Sequence, residues 1–241
     1  MPISTGLFKT LRSERPQFLI FISISLVVAL LLAVLNFLGY PPLLLSLFVG
    51  INPLIGAPLV SLLGFFLFAF LISRDLFSIH KKGHLKGFLH ASGLAALLGL
   101  VAIIVDFSTR IYSANINVLF PKSLLFYPAM GYVAEILFQL LPLTVVLIVL
   151  SPLSNRISSN KIMWSGIFVA SLPEPIFQAF GGSGQLPLWF AIFELVRIFF
   201  VILSQLAFFK RYDFVTMYWF RIVYYIAWHI AWGYLRLILL F

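Results

Sequence analysis

Long apolar stretches separated by short polar loops organise the chain. They run over 18–38, 40–73, 91–107, 123–150, 163–180, 188–209 and 215–240. A helix needs roughly 20 apolar residues to cross about 30 Å of hydrocarbon. Backbone groups in lipid must be satisfied inside their own segment, so each stretch predicts a transmembrane helix. The second stretch is too long for one crossing, and Gly50, Pro53, Gly56 and Pro58 interrupt it. It reads as a re-entrant or broken piece at 41–53 followed by a span at 54–73. None of the stretches has the roughly ten-residue alternation of a membrane-barrel strand. The expected fold is all-α: a polytopic membrane helix bundle of about seven spans plus the piece at 41–53. It forms one membrane domain, 1–241, with a cytoplasmic segment at 1–16 and a polar-cavity half at 134–233. The first stretch is followed by no small-residue cleavage site and is expected to be a retained anchor.

Composition agrees with this pattern. Of 241 residues, 62% are hydrophobic and 10% charged, where a soluble domain is nearer half apolar and a quarter charged. The chain has no cysteine, which removes disulfide scaffolds, thiolate metal sites and cysteine nucleophiles. The net charge of +9 is a topology signal. With the N-terminus in the cytoplasm, eleven basic residues fall in cytoplasmic segments: Lys9, Arg12, Arg15, Arg74, Lys81, Lys82, Lys86, Arg156, Lys161, Lys210 and Arg211. Two, Arg110 and Lys122, fall outside. That bias predicts a multi-pass protein of a plasma (inner) membrane, N-terminus cytoplasmic and C-terminus external. Charges spread over short loops make membrane lipid the expected partner and exclude nucleic acid; residues 74–90 would attract anionic lipid. His80 and His84 have metal-like spacing, but no acid completes a ligand set and lysines surround them. No metal or cofactor is expected. His90, opening the third stretch, is expected at the interface.

Seven ionisable residues inside the stretches are singled out: Arg197, Arg221, Arg236, Glu135, Glu174, Glu194 and His229. A charged group at mid-membrane costs about 3 kcal/mol on insertion scales, so such residues are expected to face the bundle interior and pair. Helical spacing groups them. Glu135 and Gln139 are four apart, as are Glu174 and Gln178. Glu194 and Arg197, three apart, are expected to form a structural ion pair. Arg221, Tyr225, His229 and Trp232 form a stripe, flanked by Trp228 in a packing or interfacial role. Arg236, near the end, is expected to snorkel to the outer interface. Glu174 sits in Leu172-Pro173-Glu174-Pro175, whose prolines break the helix beside the acid; Pro128 and Pro142 bracket Glu135.

The segment Ala134-Glu135-Ile136-Leu137-Phe138-Gln139 resembles the Glu-Glu-x-x-x-Arg motif of the CPBP family of intramembrane proteases, which includes the CAAX prenyl proteases. Phe177-Gln178-Ala179-Phe180-Gly181 stands in the place of its Phe-x-x-x-His motif. His229-Ile230-Ala231-Trp232-Gly233 resembles its late His-x-x-x-Asn/Asp motif. Order and approximate spacing agree over 134–233. The resemblance implies a helical bundle with a polar cavity inside the membrane, where a glutamate and a histidine activate water and a His/Asn pair steadies the oxyanion. The motifs are degenerate. Aligning Gln139 with the arginine puts Ala134 at the first glutamate; sliding by one makes Glu135 the first and loses the arginine position. Gly181 and Gly233 stand where the family has histidine and asparagine. Arg221 or Arg197 is left to supply the charge absent at Gln139.

Three function classes follow. In the first, a glutamic-type intramembrane endopeptidase, Glu135 activates water on a peptide bond of a membrane-associated substrate. Glu174 is then the second carboxylate and His229 donates to the oxyanion or shuttles a proton. Gln139, Gln178, Glu194, Arg197, Arg221 and Tyr225 would support them. In the second, the same buried cluster binds or carries a zwitterionic or anionic solute, or relays protons. In the third, a structural partner subunit, the ion pairs only fix helix contacts. These classes divide on one point: whether Glu135, Glu174 and His229 gather.

Overall fold

The computed structural model describes residues 10–40, 52–81, 83, 85–180 and 187–241. Every regular element among them is helical, and together they form a membrane helix bundle. The helices are α1 (Arg15–Phe37), α2 (Pro53–Ser73), α3 (Leu85–Thr109), α4 (Ser123–Ala134), α5 (Leu141–Leu150), α6 (Ser159–Ala170), α7 (Pro173–Phe180), α8 (Leu188–Arg211), α9 (Phe214–Tyr225) and α10 (Trp232–Leu239). A π-helical turn over Glu135–Leu140 joins α4 to α5, and another over Ile226–Ala231 joins α9 to α10. Among the described residues, six continuous helices are long and apolar enough to cross a membrane: Arg15–Phe37, Leu54–Ser73, Leu85–Thr109, Ser123–Leu153, Leu188–Arg211 and Phe214–Leu239. Their outward faces are apolar, as lipid requires: Leu26, Leu89 and Val149 are 66%, 63% and 67% exposed.

The remaining stretch, 163–180, is not one helix. It divides at Ser171-Leu172 into α6 and α7. Pro173 and Pro175 have no N–H to extend the α6 ladder, so the chain starts again with Pro173 as the first residue of α7. The acid of this break thus lies in the first turn of a short helix. The piece expected at 41–53 lies outside the described residues up to position 51. Asn52 caps α2, its side-chain oxygen accepting the Leu54 N–H at 2.9 Å, and Pro53 opens the helix.

The core is a continuous apolar cluster in which α1 packs on α2 and α4, α3 packs on α9, and α8 packs on α7 and α9. Phenylalanine rings fill it; Phe21, Phe68, Phe209 and Phe214 form a chain of edge contacts. Asp213 fixes where α9 begins. Its Oδ1 accepts the Thr216 N–H at 2.8 Å, and Oδ2 accepts the Lys81 N–H at 2.9 Å. One cap therefore orients α9 and ties it to the segment preceding α3. The π-helical turns fall at Glu135 and at His229, in the two helices that carry much of the buried polarity. A π turn inserts one residue and re-aims those that follow, a device frequent at functional sites.

Candidate functional site: an intramembrane cavity between two buried arginines

Arg221 on α9 is the centre of the larger polar cluster. Its Nε donates to Glu135 Oε1 at 2.7 Å. Nη1 donates to Glu174 Oε1 and to the Tyr225 hydroxyl, both at 2.9 Å. Nη2 donates to Glu174 Oε2 at 2.8 Å and to Gln205 Oε1 at 3.2 Å. These are five bonds, and a guanidinium has five N–H groups, so Arg221 is saturated. The glutamines complete the cluster. Gln205 Nε2 donates to Glu135 Oε1 at 2.7 Å, Gln139 Nε2 to Gln205 Oε1 at 3.1 Å, and Gln178 Nε2 to Glu174 Oε1 at 2.9 Å. Glu135 Oε2 is buried without a hydrogen-bond partner. The close approach of α9 to α4 depends on Gly131, where an added Cβ would sit 3.1 Å from Arg221 Cδ and 3.2 Å from Tyr225 Cε2. Of the two arginines considered for the charge absent at Gln139, Arg221 is the one that reaches Glu135.

Arg197 on α8 makes the second cluster. Its Nε and Nη2 take the two oxygens of Glu194 at 3.0 and 2.5 Å, and Nη1 donates to the Tyr224 hydroxyl. The Tyr112 hydroxyl, from the loop after α3, also donates to Glu194. Burial pushes the ionisation of Tyr112 well above its ordinary range, so it remains a donor. Three of the five N–H groups of Arg197 are used, and two have no partner among the described residues.

His229 lies on the π-helical turn after α9. Its Nδ1 is 2.7 Å from Asn117 Oδ1. The ring stacks on Tyr127 with centroids 4.6 Å apart and meets the Tyr225 ring edge-on at 5.1 Å. Tyr225 therefore touches both Arg221 and His229. Glu174, Gln178, Arg221, Tyr225, Glu194, Arg197 and His229 all border one cavity of about 620 Å³. The rest of its wall is apolar or aromatic, Met130, Phe138, Phe177 and Ile198 among them. The ionisable residues expected to gather do so, with a division of place. Glu174 and His229 face the cavity, whereas Glu135 and Gln139 are not part of its lining; Glu135 binds Arg221, and Gln139 Nε2 donates to Glu174 Oε2 at 3.4 Å. The glutamate–glutamine and Glu194–Arg197 pairs form as their spacing predicts. Gln139 shares the Glu135 cluster through Gln205.

One expectation is overturned. Arg236 does not reach the outer interface; it is 0% exposed. Its Nε and Nη2 hold Asp106 at 2.7 and 3.1 Å, Nη1 donates to the Ser113 carbonyl at 2.7 Å, and Nη2 donates to that of Tyr112 at 2.8 Å. The reason is Asp106 on α3, left out of the balance of three arginines against three glutamates. A buried carboxylate with the right geometry outweighs the cost of keeping an arginine inside. Trp232, expected on the Arg221 stripe, donates from Nε1 to Asp106 at 2.7 Å instead, since the π turn re-aims residues after His229. Trp228 is buried, with Arg197 Cζ 5.8 Å from its ring centroid, so its role is packing rather than an interfacial belt.

Gln205, Asp106, Tyr112, Tyr127, Tyr224 and Asn117 belong to these networks and were not singled out in the sequence. Gln205 lies eight residues after Arg197, on the same helical stripe, and this spacing was its signal. Asp106 was visible as a lone acid closing the third stretch. Asn117 had no local signal, because it sits in an irregular loop. Near the opposite end of α3, His90 Nδ1 is 3.2 Å from the Tyr212 hydroxyl, and His80 Nδ1 is 3.5 Å from Asp213 Oδ2. His84 lies outside the described residues, as does Gly181. Among the described residues no group of three or more histidines or acids could hold a metal ion.

No family model, curated protein or solved structure matches this chain.

Proposed function

We propose that this integral membrane protein binds an amphiphilic molecule in its intramembrane cavity. Arg197 would hold an acceptor oxygen of the head group and the aromatic and aliphatic wall would hold the chain. The observation that carries this reading is the pair of unused N–H groups on a cavity-facing arginine. A buried donor without a partner costs about 1–3 kcal/mol, so a ligand that supplies the acceptor is favoured there. An apolar pocket of several hundred Å³ with a few convergent polar groups is the ordinary form of a small-molecule site. The gathering of Glu174, Arg221 and His229 on one cavity argues against ion pairs that only fix helix contacts. Titration of purified, delipidated protein with single-chain amphiphiles tests the reading. Saturable thermal stabilisation that Arg197→Met weakens by tenfold or more is expected; binding that ignores this substitution would overturn it.

A second reading, an intramembrane endopeptidase of the kind the CPBP resemblance implies, is favoured by Glu174 and His229 facing the same cavity. The Arg221 fork on Glu174 weighs against that carboxylate as a base, since both oxygens already accept hydrogen bonds. Cleavage of a membrane-associated peptide by purified protein, lost in both Glu174→Gln and His229→Ala, would establish it. Absence of cleavage with binding intact would leave the first.

The basic residues support an N-terminus in the cytoplasm. As the chain contains no cysteine, Arg156→Cys and Arg110→Cys provide single labelling sites. A membrane-impermeant thiol reagent is expected to label Arg110→Cys in intact cells and spare Arg156→Cys; the reverse labelling overturns the orientation.

A further inference from the structure

The cavity contains a second reading element, and it rests on the binding role above. Asn117 reaches His229 from the loop between α3 and α4, and the space it occupies is left by Gly233 at the start of α10. A Cβ added at Gly233 would lie 3.0 Å from Asn117 Nδ2 and 3.1 Å from both Cβ and Cγ of Asn117. Asn117 is 6% exposed, and its Nδ2 is buried without a hydrogen-bond partner among the described residues. In this structure the Tyr127 hydroxyl accepts the Val118 N–H at 2.9 Å and donates to Asn117 Oδ1, 3.3 Å away. The oxygen end of the amide therefore faces both Tyr127 and His229. A carbonyl oxygen can only accept. The 2.7 Å contact to His229 thus requires the proton on Nδ1. In the neutral ring, the other nitrogen then carries a bare lone pair. Nε2 makes no hydrogen bond among the described residues, and His229 forms part of the cavity wall.

We infer that Asn117 is a positioning residue that holds His229 in its Nδ1–H form, so that Nε2 offers an acceptor to the cavity and selects a head group bearing an O–H or N–H donor. The ligand class is thereby narrowed. Arg197 offers donors and His229 an acceptor, so the head must carry an acceptor oxygen together with a hydroxyl or amine. A monoacylglycerol, with an ester carbonyl and free hydroxyls, has this chemistry. The same geometry places an acceptor, and not an N–H donor, where a neutral His229 would otherwise steady an oxyanion.

The test has two arms. Nitrogen-15 NMR of protein labelled at histidine, with His229→Gln to assign the signal, reads the tautomer directly. The Nδ1–H pattern is expected, with a move toward a tautomer mixture in Asn117→Ala and in Gly233→Ala, whose added Cβ has atoms of Asn117 as its three nearest neighbours. An Nε2–H pattern in the unsubstituted protein, the result if the amide is turned over, overturns the inference alone. In the second arm, a monoacylglycerol and its di-O-methyl ether are titrated into the full chain in detergent. About a tenfold preference for the free hydroxyls is expected, equivalent to one hydrogen bond, and it should disappear in Asn117→Ala. Equal affinity for the two probes overturns the donor selection. Failure of both to bind overturns the ligand assignment together with the binding role, while leaving the tautomer arm to report on Asn117 separately.

Discussion

Arg221 and Arg197 are both buried in the membrane interior, both face the same cavity and both bind a glutamate, yet they are held differently. Arg221 is enclosed by two carboxylates, a glutamine and a tyrosine that use all five of its N–H groups. Arg197 has one carboxylate and one tyrosine, and two of its donors have no partner among the described residues. Formal charge differs in the same sense: Arg221 faces two acids, Arg197 one. An arginine with no donor left can hold helices together but cannot recognise anything further. One with spare donors can do both. The difference teaches that ionisable groups inside a membrane do not form one undivided site, and that the unused N–H groups of Arg197, set beside the saturated Arg221, mark the cluster open to a ligand.

The comparison can be broken in graded ways. Arg221→Met leaves Glu135 and Glu174 without a cation, and removal of one partner from a buried network costs about 3–5 kcal/mol. Denaturant unfolding in detergent should register a loss of this size. Adding Glu135→Gln and Glu174→Gln to Arg221→Met should recover most of it, because neutral groups of similar shape need no counter-charge; no recovery would mean that Arg221 is not structural in the sense argued. Arg197→Met should cost less, about 1.5–3 kcal/mol, the worth of hydrogen bonds to a charged group, because the Tyr112 hydroxyl still reaches Glu194. Its larger effect should appear in ligand titration. Equal destabilisation by the Arg221 and Arg197 substitutions would remove the distinction. The smallest effect is Gly131→Ala. The new Cβ, 3.1 Å from Arg221 Cδ, should cost about 1 kcal/mol of overpacking in the same unfolding measurement and leave Arg197-dependent binding intact.

Much of this arrangement was legible in the chain. Apolar length located the helices, and the penalty on lone charges required Glu135, Glu174, Arg221 and His229 to come together. The two prolines around Glu174 announced the break between α6 and α7. What escaped was set by tertiary geometry. Arg236 looked like a residue close enough to the end to reach water, but α3 places Asp106 against it. The π turns that re-aim Trp232 leave no mark in residue type or spacing. Asn117 could not be found from its neighbours, because an asparagine in a loop becomes informative only once Gly233 is seen to make room for it. The sequence thus disclosed which residues had to be inside, and left open which of them would be sealed and which accessible.

The salt bridge between Asp106 and Arg236 has a reach beyond the helices it joins. Arg236 also grips the carbonyls of Tyr112 and Ser113, at the root of the same loop that sends Tyr112 to Glu194 and Asn117 to His229. A single guanidinium on the last helix is consequently the hinge-pin for two of the chamber's contacts. Loosening it would slacken both together, so that damage at a salt bridge outside the cavity would be felt as a loss of grip within it.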